Sequence, residues 1–172
     1  KLDGGKITNM SEEMPLSQKD IEESTTIVSQ IGIAPIIELL KQKADVILCG
    51  RACDTAIYAA PCIYNGYNPG LAFHMAKIME CGAMCSEPVA AADVMQGYIE
   101  KDCFRLRPAN PARRCTVDRV AAHTLYEQSN PYYIYEPDGM CDLTESVYTQ
   151  EDDRTVRVSG SRFIEAEEKT LK

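Results

Sequence analysis

Asp45-Val46-Ile47-Leu48-Cys49-Gly50-Arg51-Ala52-Cys53-Asp54 reads as a buried strand that runs into a polar turn. Val46, Ile47, Leu48 and Cys49 form a short unbroken apolar run between an aspartate and a glycine. That is the pattern of a strand covered on both faces, hence parallel and central. Upstream, Pro35-Ile36-Ile37-Glu38-Leu39-Leu40-Lys41 sets a proline at a first helical position and apolar residues at helical spacing, predicting a helix that ends near Lys43. Downstream, Asp54 precedes Thr55-Ala56-Ile57-Tyr58-Ala59-Ala60, again helical. The expected fold class is therefore α/β. Its sheet is at least partly parallel and flanked by helices, with an α+β C-terminal part that contains a hairpin.

Ligands of open α/β sheets bind outside the carboxyl ends of the strands, which makes Gly50, Arg51 and Asp54 the candidate substrate-binding residues. Glycine lets the backbone approach a ligand. Arginine grips a carboxylate or phosphate in a fork, and aspartate orients a hydroxyl or a base. The structural alternative has Asp54 capping the next helix and Arg51 pairing with a carboxylate such as Asp45.

The chain of 172 residues, 45% apolar and 26% charged, is long enough for a domain with its own core. Its 26 acidic and 18 basic residues give a net charge of −8, which argues against nucleic acid or an anionic membrane as a partner. No apolar run approaches the roughly 20 residues of a membrane span, and Lys1-Leu2-Asp3-Gly4-Gly5-Lys6 lacks the apolar core of a signal peptide. The expected location is the cytoplasm. The eight cysteines fall largely within apolar helix and strand patterns and are read as free thiols. The chain does not begin with Met and shows one strand-helix unit, which suggests a piece of a larger α/β protein.

Residues 1–17 form a polar arm or loop, 18–88 an α/β core segment, 89–164 an α+β segment, and 165–172 a charged tail. Within the core segment, Pro61 must kink or end the helix that starts near Thr55. Leu71, Met75, Ile78 and Gly82 then mark one side of a helix from about Leu71 to Cys81, from which Lys77 and Glu80 fall away. Phe104 to Arg114 is extended, basic and broken by Pro108 and Pro111. Thr116 and Asp118 open a helix that runs to about Glu127. Val147 and Thr149, then Val156 and Val158, alternate with polar residues around an acidic loop and predict the hairpin.

Several chemical readings compete. Cys49 with Cys53 and Cys81 with Cys85 have a spacing that zinc pairs tolerate, but buried thiols are the commoner reading, and no metal is expected. His74, His123 and Cys53 are the candidate catalytic residues, histidine because it is the usual general base. Arg105, Arg107, Arg113 and Arg114 concentrate positive charge and could bind an anion such as a CoA phosphate. The glycine spacing of a dinucleotide fingerprint is absent, so no cofactor is expected. CoA could enter as part of a substrate.

The chain resembles the acyclic terpene utilisation family, the AtuA-like proteins. The resemblance is carried by Ile33-Ala34-Pro35-Ile36-Ile37 leading to Ala44 through Ala56, by Gly70-Leu71-Ala72 through Glu80-Cys81-Gly82-Ala83, by Val120 through Glu127, and by Arg154 through Gly160. It implies an α/β protein of branched acid or acyl-CoA catabolism, from a family whose members are generally longer, with further α/β units ahead of this part. It carries over no catalytic set. The combined expectation is an enzyme or enzyme subunit that binds a small anionic metabolite, a carboxylate or acyl thioester, and works as a homo-oligomer or with a partner subunit. The alternatives are a non-catalytic module that completes a partner's active site, and a thiolate metal or redox protein.

Overall fold

Five helices, three of them (α1, α4 and α5) opened by a side-chain cap, are α1 (Gln18–Glu23), α2 (Ala34–Lys41), α3 (Ala56–Tyr64), α4 (Pro69–Met79) and α5 (Val117–Thr124), in a computed structural model that describes residues 17–26, 28–89 and 92–167. Ser17 and Asp20 form a capping box at α1. Asn68 Oδ1 accepts from the amides of Gly70 (2.8 Å) and Leu71 (3.3 Å), with Pro69 at the first position of α4. Thr116 caps α5 by accepting from Arg119 N at 3.4 Å. Pro61 does not stop α3, which continues to Tyr64. Ala56, Ala59 and Ala60 anchor the helix in the core, while Pro61 and Ile57, whose carbonyl loses its helical partner, lie on the exposed side.

The strands are β1 (Ser86–Glu87), β2 (Met95–Ile99), β3 (Cys103–Pro108), β4 (Arg114–Cys115), β5 (Tyr133–Glu136), β6 (Gly139–Asp142), β7 (Val147–Gln150), β8 (Val156–Ser159) and β9 (Arg162–Glu165). They form sheets of order β2-β3-β8-β7, β5-β6-β9 and β1-β4, every pair antiparallel. The mixed α/β class stands, and the expected parallel sheet does not. Residues 46–49 join no ladder. Ile47 and Cys49 pack against the core, while Val46 and Leu48 are 84% and 96% exposed, with no layer over them among the described residues. The run is apolar on both faces and covered on one. Among the described residues, parallel pairing is confined to the Ile31–Ala52 bridge, held by Ile31 N to Arg51 O (3.2 Å) and Cys53 N to Ile31 O (2.9 Å).

The predicted hairpin is β7 and β8, with Gln150 opposite Val156 across an acidic loop. The basic Phe104 to Arg114 stretch supplies β3 and β4. Most of the polar arm and the last five residues of the tail lie outside the described residues, and β9 takes residues up to Glu165.

The core is two apolar clusters that share one helix. Ala72, Phe73 and Ala76 of α4 join α2, α3 and the β5-β6 sheet, whereas Leu71, Met75 and Ile78 join Phe104, Leu106, Val120, Val156 and Val158. Residues 70–78 are buried without exception. A helix apolar on two opposite faces belongs in the middle of a protein, and any charge on it must be accommodated there.

Candidate functional site: the Asp54 cleft

Lys77 is that charge. It sits in the last turn of α4, where its ammonium meets the negative end of the helix dipole, and it bonds to Glu80 one turn on. The two side chains are only 6% and 7% exposed. Taking an ion pair out of water costs several kcal/mol per ion, so the pair persists only with further polar partners nearby. Those line a cleft of about 180 Å³ where the start of α3, the end of α4, the segment after α5 and β5 converge. Its floor is Thr55, Lys77, Glu80, Ile134 and Glu136. Its rim is Gln30, Asp54, Glu127 and Gln128. Thr55 Oγ1 donates to Glu136 Oε1 at 2.7 Å inside the floor.

One ammonium therefore faces four carboxyl groups. Around it, Tyr126 lies with its ring 5.9 Å from Lys77 Nζ and stacks on His123 at 5.4 Å. Burial, with Lys77 adding to it, lowers the His123 pKa and keeps the ring neutral. The hydrogen bond to Glu127 holds the Tyr126 hydroxyl protonated to higher pH. Burial and then Glu80 raise the Cys81 pKa, so Cys81 is a thiol and a poor nucleophile at neutral pH. The arrangement suits proton transfer and carbonyl polarisation better than thiolate attack. Among the described residues no group of three or more His, Cys, Asp or Glu side chains is placed to hold a metal ion.

The family model for the acyclic terpene utilisation family protein AtuA matches residues 2–100 and 103–172. The chain belongs to the acyclic terpene utilisation family. No curated protein and no solved structure has a detectable match to it.

In this family member the sequence-predicted residues separate. Asp54 lines the cleft; Gly50 and Arg51 line none of the clefts described, and Arg51 is exposed. Asp54 does not cap α3, whose N-cap position is Thr55. His74 is fully buried, with Nδ1 2.7 Å from Ser161 Oγ and Nε2 3.1 Å from Thr124 Oγ1 and 3.2 Å from Tyr148 OH. Burial pulls its pKa down to about 3, so it is a neutral hydrogen-bonding hub that ties α4 to Thr124, Tyr148 and Ser161. His123 lies beside the cleft, and Cys53 is buried in the core. Arg113 and Arg114 line a separate cleft, where Arg113 bonds to Asp93 (2.7 Å) and Arg114 to Glu87 (3.3 Å). Arg105 bridges Glu100 and Glu151, and Arg107 is exposed on β3.

The residues missed from sequence include Lys77, Glu80, Glu127 and Glu136. A signal for the first two existed. Ala72, Phe73 and Ala76 form a second apolar face on α4, and a helix apolar on both sides leaves its Lys and Glu no solvent to fall into. Glu136 depends on α3 and β5 meeting across 81 residues of chain, a contact no local pattern encodes. No helix among the described residues is long and apolar enough to cross a membrane.

Proposed function

We propose that this chain is an enzyme or enzyme subunit of branched acid or acyl-CoA catabolism, acting at the Asp54 cleft by proton transfer next to a carbonyl. The observation that carries the reading is the buried Lys77–Glu80 pair opening onto a carboxyl-lined cleft. An ion pair held out of water at a cost, beside an open cleft, points to a working site rather than to a stable core. In this mechanism Lys77 donates a hydrogen bond to the carbonyl oxygen of an acyl thioester and stabilises the negative charge that develops there. A rim carboxylate, Asp54 or Glu127, takes the proton from the adjacent carbon, and Glu80 keeps Lys77 oriented. The volume of about 180 Å³ fits the reacting acyl head, with the bulk of a CoA thioester outside. The neutral carbonyl, not a free carboxylate, is the favoured group, because the lining is already acidic.

A thermal-shift screen with carboxylates and branched acyl-CoA esters tests this. A stabilising ester is expected whose effect disappears in Lys77→Met and survives in Arg51→Ala. Loss with Arg51→Ala and retention with Lys77→Met would move the site back to the Gly50–Asp54 turn.

The second reading, a module that completes a partner's site, is favoured by the uncovered Val46 and Leu48. It predicts that Val46→Ser with Leu48→Ser leaves the isolated chain as stable as before and weakens its association with another subunit.

A further inference from the structure

Sulfur is concentrated in the apolar cluster of Phe104, Val120 and Val158. Cys115, on β4, is fully buried, and its thiol donates to Met95 Sδ, on β2, at 3.9 Å. Cys85, also fully buried, ends the 3-10 turn Gly82–Cys85 and is followed by Ser86, which stands opposite Cys115 in the β1-β4 ladder. The Cys85 thiol hydrogen-bonds with Cys115. Cys115 therefore has a thiol on one side and a thioether on the other. Two residues along β2, Gly97 shares the face of Met95, and a side chain there would run into Met75 Sδ and Met79 Sδ of α4.

Thiolate and thioether ligands together select Cu(I) among the biological metals. The spacing agrees. Metal–thiolate bonds are about 2.3 Å, so three sulfurs around one ion stand about 4 Å apart, a separation that Cys115 and Met95 already hold. Zinc takes four ligands, and among the described residues no third His, Cys, Asp or Glu side chain joins the two thiols to hold it. An apolar interior also rejects net charge. A monovalent ion satisfies that condition: Cu(I) takes the place of the Cys115 thiol proton, one Cu–S bond forms, one proton leaves, and the charge of the cluster is unchanged. The hydrogen bond with Cys115, and then burial, raise the Cys85 pKa, so Cys85 keeps its proton and bonds through a sulfur lone pair, as Met95 does.

We infer that Cys85, Cys115 and Met95 form a buried three-sulfur site for Cu(I). It shares no residue with the Asp54 cleft, and it pairs Cys85 with Cys115 across a sheet, not with Cys81 along the chain. The way in is the β1-β4 ladder, only two residue pairs long. Its pair Glu87 and Arg114 lines a cleft of about 570 Å³, so opening two rungs exposes the thiols to solvent.

The test titrates the full chain, reduced and free of oxygen, into the coloured Cu(I)–bicinchoninate complex, with circular dichroism to check that each variant folds. The chain is expected to take one equivalent of Cu(I) from the dye and to show only sulfur neighbours, at about 2.3 Å, in X-ray absorption. Cys115→Ala should abolish the transfer. Cys85→Ala and Met95→Leu should each weaken it about tenfold or more. The triple variant Cys49→Ser, Cys62→Ser, Cys81→Ser, at the half-buried thiols, should leave it unchanged. No copper uptake, nitrogen or oxygen neighbours, uptake that survives Cys115→Ala, or uptake lost in the triple variant would overturn the inference. Should Cys115→Ala fail to fold, the volume-conserving Met95→Leu decides: unchanged affinity there overturns it as well.

Discussion

Removing Lys77 takes from Glu80 its ion-pair partner, and the cost of doing so measures how far the pair is withdrawn from water. Both side chains are under a tenth exposed. Breaking a fully buried ion pair costs about 3–5 kcal/mol. Here the cleft lets water reach the Glu80 carboxylate, so Lys77→Met should cost somewhat less, about 2–4 kcal/mol. Glu80→Gln leaves Lys77 an amide oxygen and should cost about 1–2 kcal/mol. The double variant Lys77→Met, Glu80→Leu removes both charges and should stand within about 1 kcal/mol of the parent, because a hydrophobic replacement needs no desolvation. Urea unfolding at pH 7, with all four proteins of the cycle, gives the coupling directly. A Lys77→Met cost below about 1 kcal/mol, or single costs that simply add, would show a solvated surface pair and refute the argument that this charge is held at an expense.

Two further predictions concern the central helix. His74 stays neutral in the folded chain down to about pH 3, whereas an unfolded imidazole takes its proton near 6.5, so the unfolded state binds the extra proton between those values. Stability should therefore fall as pH drops through that window, by roughly 2 kcal/mol from pH 6.5 to 5, with His123 acting in the same direction. Unfolding curves of His74→Gln should lose most of that slope while starting from lower stability at pH 7, and an unchanged slope would count against the buried hub. Gly70 packs against the backbone of β9, where an added methyl would lie 2.5 Å from the Arg162 carbonyl carbon. Gly70→Ala should cost about 2–4 kcal/mol through displacement of α4 from the sheet, read as a drop in melting temperature.

Local signals carried much of this fold. Thr116 starts its helix where capping chemistry predicts, and the alternation around Val147 and Val156 gives the hairpin, while α4 opens at Asn68-Pro69, two residues ahead of the Leu71 expected. The failure came at residues 46–49, where periodicity reports that both faces are apolar but cannot report what covers them. Ile47 and Cys49 found the core, Val46 and Leu48 did not, and the backbone joined no ladder. The candidate site was half legible. Asp54 was visible from its position after an apolar run, but the helix that should have looked amphipathic is buried all round. Lys77 and Glu80 therefore belong to the interior they seemed to leave. Glu136 reaches Thr55 only through tertiary packing.

The proposed chemistry has a direct readout, exchange of the proton next to the thioester carbonyl in D2O. With 3-methylbutyryl-CoA followed by proton NMR, the chain should deplete that signal faster than buffer alone, and Lys77→Met should bring the rate back to the buffer value. An intact signal with the unaltered chain, or depletion that proceeds equally in Lys77→Met, would contradict the assignment of this cleft.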